Sequence, residues 1–124
     1  MGFVERQYRA QLETYEIDPV SLRGEERARF LRDQVLAATE ELHEILRESS
    51  WKPWHHGRAG YGETTELRWR RQDWIEAIAE EFGDLMCFVA NLALAHDLTT
   101  QDVMNGFERK VRENEVRHRN GGLG

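Results

Sequence analysis

From Leu85 to Ala95 the chain reads LMCFVANLALA, apolar throughout except for Asn91. Successive residues of a helix turn by about 100°, so this run is apolar around its whole circumference and wants neighbours on every side. In a chain of 124 residues there is little else to supply them. An isolated four-helix monomer would leave one side of this helix wet. The run therefore predicts an obligate homo-oligomer, most simply a two-fold dimer with this helix at the interface.

The remainder of the chain also reads as helices. No segment alternates apolar and polar residues long enough for a strand. The only prolines, Pro19 and Pro53, sit where helical patterns break. Four helices are expected. The first runs from about Phe3 to Glu16, ending before Pro19. The second runs from about Gly24 to Glu48, with Leu31, Val35, Ala38, Leu42, Ile45 and Leu46 in one apolar stripe. The third runs from about Asp73 to His96, with Asp73 and Glu76 spaced as a capping box. The fourth follows Thr99 or Thr100, with Asp102 in its first turn, and continues to about Arg119. Residues 51–72, with Gly57, Gly60 and Gly62, form an irregular loop, and 120–124 a tail. The fold class is all-α, a four-helix bundle in one domain spanning 1–124 with its core within about 24–119.

Composition narrows the role. Seventeen basic against twenty-three acidic residues leave a net charge of −6, which argues against holding nucleic acid by phosphate neutralisation. No apolar stretch is long enough to span a membrane, and the N-terminus lacks the apolar core of a secretory signal. The single cysteine, Cys87, gives neither a disulfide framework nor a multi-cysteine zinc site and reads as a small core residue. These features point to a cytoplasmic protein without nucleic-acid or membrane partners.

Two acidic pairs carry the chemistry. Glu41 and Glu44 are three apart on the second helix, and Glu81 and Asp84 three apart on the third, so each pair stacks on one helix face. Both pairs lie beside the apolar stripes. Glu41 and Glu44 share a side with Phe30, Gln34, Ala37 and Glu48; Glu81 and Asp84 share theirs with Ala77, Phe88 and Asn91. Carboxylates that close to a core repel one another and desolvate badly, and a hard divalent cation relieves both problems.

The order ExxE then ExxD on two helices resembles the all-α nucleoside triphosphate pyrophosphohydrolases, the superfamily of MazG-like proteins and dimeric dUTPases. Trp51-Lys52-Pro53-Trp54 is similar to an aromatic-Lys-x-Trp segment of dUTPase-like members, and the Glu81-Phe-Gly-Asp84 motif is followed by an apolar helix with Asn91. The run from Phe107 through Lys110 and Asn114 to Arg117 resembles the family's C-terminal aromatic-xx-Lys-xxx-Asn-xx-Arg pattern. The resemblance covers about Leu31 to Gly121. It departs at His55, where a second Lys is frequent, and at Asn120-Gly121-Gly122, which replaces the usual Gly-Tyr close.

The resemblance implies two or more Mg2+ or Mn2+ ions among Glu41, Glu44, Glu81 and Asp84. It implies attack of water on a (deoxy)nucleoside triphosphate to give the monophosphate and pyrophosphate, with Glu41 or Glu44 as base. Lys52, Lys110 and Arg117 would bind phosphate, Asn91 and Asn114 the sugar or base, and Trp51 or Trp54 would stack on the base. The expected assembly is a homodimer or a dimer of dimers. The base is open between a dUTP-like pyrimidine and a purine such as dGTP or dATP.

Other signals are weaker. Gly57 to Thr64 has the glycine spacing of a phosphate-binding loop, but Glu63 stands at the Lys position and no strand precedes it. His55 and His56 read as an exposed loop pair. The competing reading of the whole chain is a non-enzymatic helical dimerisation or adaptor module with decorative acidic pairs.

Overall fold

The structure, a computed structural model, describes residues 1–49 and 71–121, with backbone alone for 71–73. Among these residues there are four helices and no strand. Helix α1 spans Phe3–Ala10 and continues as a π-helical turn over Gln11–Tyr15. The chain stops there by passing through a left-handed residue, Glu16, at φ 56°. Asp18 fastens the following link, accepting from the Tyr8 hydroxyl at 2.8 Å and from the Val20 amide at 3.1 Å. Helix α2 spans Gly24–Glu48, with the limits read from the sequence. Helix α3 spans Arg71–Ala95 and starts two residues before Asp73. Helix α4 spans Thr100–Arg119.

Helices α2 and α3 pair antiparallel. Arg27 Nε donates to the Ala95 carbonyl at 3.1 Å, Asn91 Nδ2 to Gln34 Oε1 at 2.9 Å, and Trp74 Nε1 to the Glu48 carbonyl at 3.5 Å. Rising residue numbers on one helix meet falling numbers on the other, so Glu41 and Glu44 come opposite Glu81 and Asp84. The Arg27 contact also satisfies a C-terminal carbonyl of α3, where a cation is favoured.

The buried core is small and lies at one end. Val4, Ala90, Ala93 and Leu94 form it, flanked by Phe3, Tyr8, Val20 and Val103. Val4 is 1% exposed, so α1 contributes to the core alongside the 24–119 stretch. The α1–α4 joint is built from hydrogen bonds. Thr100 Oγ1 accepts from the Val4 amide at 2.9 Å and donates to Glu5 Oε1 at 2.8 Å, while the Thr100 amide donates to Glu5 Oε2 at 3.0 Å. Gly2 sits so close that a Cβ there would overlap the Thr100 side chain and the Glu5 carboxylate. Thr99 and Asp102 form a reciprocal capping box at the start of α4, with bonds of 3.1 and 2.9 Å.

Two expectations from the apolar pattern are corrected. The stripe on α2 is covered only along one edge: Leu31, Ala38 and Ile45 are partly buried, whereas Val35 is 51% and Leu42 52% exposed, and Leu46 is exposed too. The face turned to α3 is the adjoining one that carries Gln34, Ala37, Glu41 and Glu44, all partly buried. Periodicity shows that a helix has an apolar stripe but not which flank its neighbour takes. On α3 only the C-terminal half is enclosed; Phe82 and Met86 are exposed, and so is Cys87, which is not a core residue. No described helix is long and apolar enough to cross a membrane.

Candidate metal centre

Three carboxylates converge where the middle of α2 meets α3. One oxygen from each of Glu41, Glu44 and Glu81 lies within 4.8 Å of the other two, and all three residues are partly buried. Glu41 and Glu44 reach this point because they occupy consecutive turns of α2, and Glu81 because the antiparallel register sets it opposite. Two carboxylate oxygens of this group, Glu41 Oε2 and Glu81 Oε2, are shielded from solvent and have no hydrogen-bond partner. A shielded acceptor left unpaired is destabilising, and more so when it carries charge.

The electrostatics carry the same strain. The Glu44 carboxyl is held above its usual range by its hydrogen bond with Glu81, then by the charge of Glu81 and by burial; Arg47, 3.8 Å away, opposes this. Glu81 is also raised. Its hydrogen bond with Glu44 pulls it down, but a second one with Glu41, burial, and the charges of Glu41 and Asp84 outweigh that. Like charges crowded beside apolar surface favour protonation unless a cation intervenes. Unpaired carboxylate oxygens in a tight group are the donor set that Mg2+ and Mn2+ prefer, so these residues fit such an ion.

Asp84 lies on the same face of α3, one turn beyond Glu81, but its side chain is exposed and it is not part of the group of three. Asn91 lies two turns further along the same α2–α3 seam and is 4% exposed. Its Nδ2 donates to Gln34 Oε1 at 2.9 Å and to Gln11 Oε1 at 3.4 Å, and its Oδ1 accepts from Gln7 Nε2 at 3.3 Å. Gln7 Nε2 also donates to Gln11 Oε1 at 3.4 Å. Four amides from three helices thus meet where the seam enters the core.

The sequence placed Gln34 on the face of Glu41 and Glu44 without a partner, and it did not single out Gln7 or Gln11. Gln7 and Gln11 are four apart and Gln34 is seven before Glu41, so each shares a face with something informative. Nothing local, however, joins residues 80 positions apart.

Lys110, Asn114 and Arg117 are not brought to the carboxylates. They occupy the distal half of α4, where every residue from Phe107 to Gly121 is exposed. Lys110 Nζ lies 2.6 Å from Glu113 Oε2, and Arg117 Nη2 4.0 Å from the same oxygen. Trp51, Lys52, Trp54, His55 and His56, together with nearly all of the 51–72 loop, lie outside the described residues, as do the Asp73 side chain and residues 122–124. No family model matches the chain, no curated protein matches it, and no solved structure matches its fold.

Proposed function

We propose that this chain is a divalent-metal-dependent (deoxy)nucleoside triphosphate pyrophosphohydrolase, converting the triphosphate and water to the monophosphate and pyrophosphate. The observation that carries this reading is the convergence of Glu41, Glu44 and Glu81, two of whose oxygens are buried without partners. With Asp84 adjoining, these residues would hold Mg2+ or Mn2+, two or more ions per site. When bound, such ions neutralise a triphosphate and lower the pKa of water. Glu41 or Glu44 takes the proton from the water that attacks the α-phosphorus. No covalent protein nucleophile is required.

The remaining roles follow from chemistry and from the resemblance noted above. Asn91, with its neighbouring amides, lies along the same seam and offers both donors and acceptors to a sugar or base. Lys110, Arg117 and Lys52 supply cations for phosphate oxygens, Asn114 an amide, and Trp51 or Trp54 a stacking surface. The base remains open between a dUTP-like pyrimidine and a purine such as dGTP or dATP. The protein acts in the cytoplasm as a homodimer or dimer of dimers.

The competing reading, a non-enzymatic dimerisation module, draws on the exposed apolar side chains of α4. One panel separates the two: pyrophosphate release with Mg2+ or Mn2+ across the eight common NTPs and dNTPs plus dUTP. Release from one or two nucleotides that EDTA abolishes supports the enzyme. No release from any of them with either metal refutes it for those substrates and favours the module. Glu44→Gln and Asp84→Asn are expected to lose turnover while keeping the fold.

A further inference from the structure

The α2–α3 pair is unevenly fastened along its length. One end closes on Ala90, Asn91, Ala93 and Leu94, all buried, with Val4 of α1 in the same cluster. Toward the other end burial stops. No side chain of α2 is buried, and on α3 none is from Trp74 to Val89. Beyond the carboxylates, Ile45, Ile75 and Ile78 are the apolar side chains that reach partial burial among the described residues. The bond from Trp74 Nε1 to the Glu48 carbonyl spans 3.5 Å, the outer limit of a hydrogen bond. Segments with so few buried apolar contacts open locally, ahead of the whole molecule. Once parted, terminal stretches of this length fray, because lone helices of fewer than about 12 residues are marginal in water.

Charge works against the same end. Residues 40–48 and 76–84 carry eight acidic side chains against one Arg, Arg47. Glu41, Glu44 and Glu81 turn toward one another, with an oxygen of each within 4.8 Å of the other two, and like charges at that spacing repel. Arg47 reaches Glu44 from the surface at 3.8 Å, a kind of pair worth little. The two shielded oxygens without partners, Glu41 Oε2 and Glu81 Oε2, belong to opposite helices. Both are acceptors, so what joins them must be positive or a donor. A divalent cation would bond α2 to α3 and cancel the repulsion in the same step.

We propose that the end of the α2–α3 pair away from Asn91 is a cation-dependent clamp. It closes when Glu41 and Glu44 of one helix and Glu81 of the other share a divalent ion. When they do not, it opens by itself while the Asn91 end stays shut. The proposal rests on reading these residues as a metal centre, and it goes further by giving the ion control over the fold of its surroundings. Ion loading and assembly of the site are then one event, and the free cation concentration sets the fraction of chains whose site is formed.

Hydrogen exchange of the full chain, read by mass spectrometry, tests this without turnover, while calorimetry on the same protein measures Mn2+ binding. In EDTA the amides of 41–48 and 74–81 are expected to exchange much faster than those of 90–95. With Mn2+ at 100 times its dissociation constant, an ion lost on opening lowers the open fraction about 100-fold, and exchange at 41–48 and 74–81 is expected to slow by that factor. Glu81→Gln removes one repelling charge and one ligand. It is expected to slow the same amides in EDTA and to blunt their response to Mn2+.

Amides of 41–48 and 74–81 that exchange in EDTA as slowly as those of 90–95 overturn the clamp. So does Mn2+ that binds by calorimetry yet leaves their exchange unchanged; the metal centre then stands without the clamp. Absence of Mn2+ binding overturns both. Pyrophosphate release enters none of these outcomes, so the clamp stands or falls apart from the enzymatic reading.

Discussion

Replacing Asn91 with Ala tests whether the amide group joins three helices as one unit. In the native chain Asn91 makes one short bond, 2.9 Å to Gln34, and longer ones to Gln11 and Gln7. Losing the short bond costs about 1 kcal/mol. Gln34 is partly exposed and can turn to water, but Gln11 is 5% exposed and cannot. Leaving the Gln11 amide underpaired adds about 1–3 kcal/mol, for a total of roughly 2–4 kcal/mol. Gln11→Ala breaks the same group from the other side. The double variant is therefore expected to fall short of additivity by about 1 kcal/mol or more. Urea denaturation of the wild type, both single variants and the double variant, with a common m-value, measures this directly. Strict additivity, or an Asn91→Ala cost below about 0.5 kcal/mol, would refute the view that these amides form a satisfied, coupled network.

Three further outcomes are expected. Glu81→Gln removes a carboxyl whose folded pKa is raised; such a group lowers stability as pH rises through that range, so the metal-free variant should melt above wild type at pH 8 and match it near pH 4. In excess Mn2+ the order reverses. At 100 times its dissociation constant an ion adds about 2.7 kcal/mol, roughly 10 °C in a chain of this size, and only the wild type should gain it. Glu5 is lowered by hydrogen bonds from the Thr100 amide and then the Thr100 hydroxyl. Its stabilisation is complete above the ordinary carboxylate value and fades as pH falls through the folded one, so the gap between wild type and Glu5→Gln in acid titration followed by circular dichroism should close in acid. Gly2→Ala drives a methyl into Thr100 and Glu5 and is expected to cost about 1–3 kcal/mol in urea denaturation, as overpacking does.

What the sequence revealed, and what it hid, divides along local and non-local lines. The Gly24–Glu48 helix and a cap at Thr99 or Thr100 were legible because both are set by neighbours within one or two turns; the structure settles the cap on Thr99, paired with Asp102. The facing of Glu41 and Glu44 toward Glu81 was legible from the two three-residue spacings, given an antiparallel pairing. The choice of face on α2 was not. Val35 and Leu42 look like core residues by period, yet the partner helix takes the flank with Gln34 and Glu41 instead. Cys87 was misplaced for the same reason: an apolar run tells what a helix could bury, whereas burial depends on how many neighbours arrive. The π-helical turn at Gln11–Tyr15 and the amide group it helps to form had no local signal, because Gln11 and Asn91 meet only through tertiary packing.

The central claim is that the α2–α3 seam binds divalent cations through Glu41, Glu44 and Glu81. Electron paramagnetic resonance of free Mn2+, titrated with wild-type protein and with Glu81→Gln, tests it most directly. The wild type is expected to remove Mn2+ from the free signal in a saturable way, and the variant to remove much less at the same concentration while keeping its helical spectrum. A free Mn2+ signal that the wild type leaves unchanged, or that both proteins quench equally, would contradict the account.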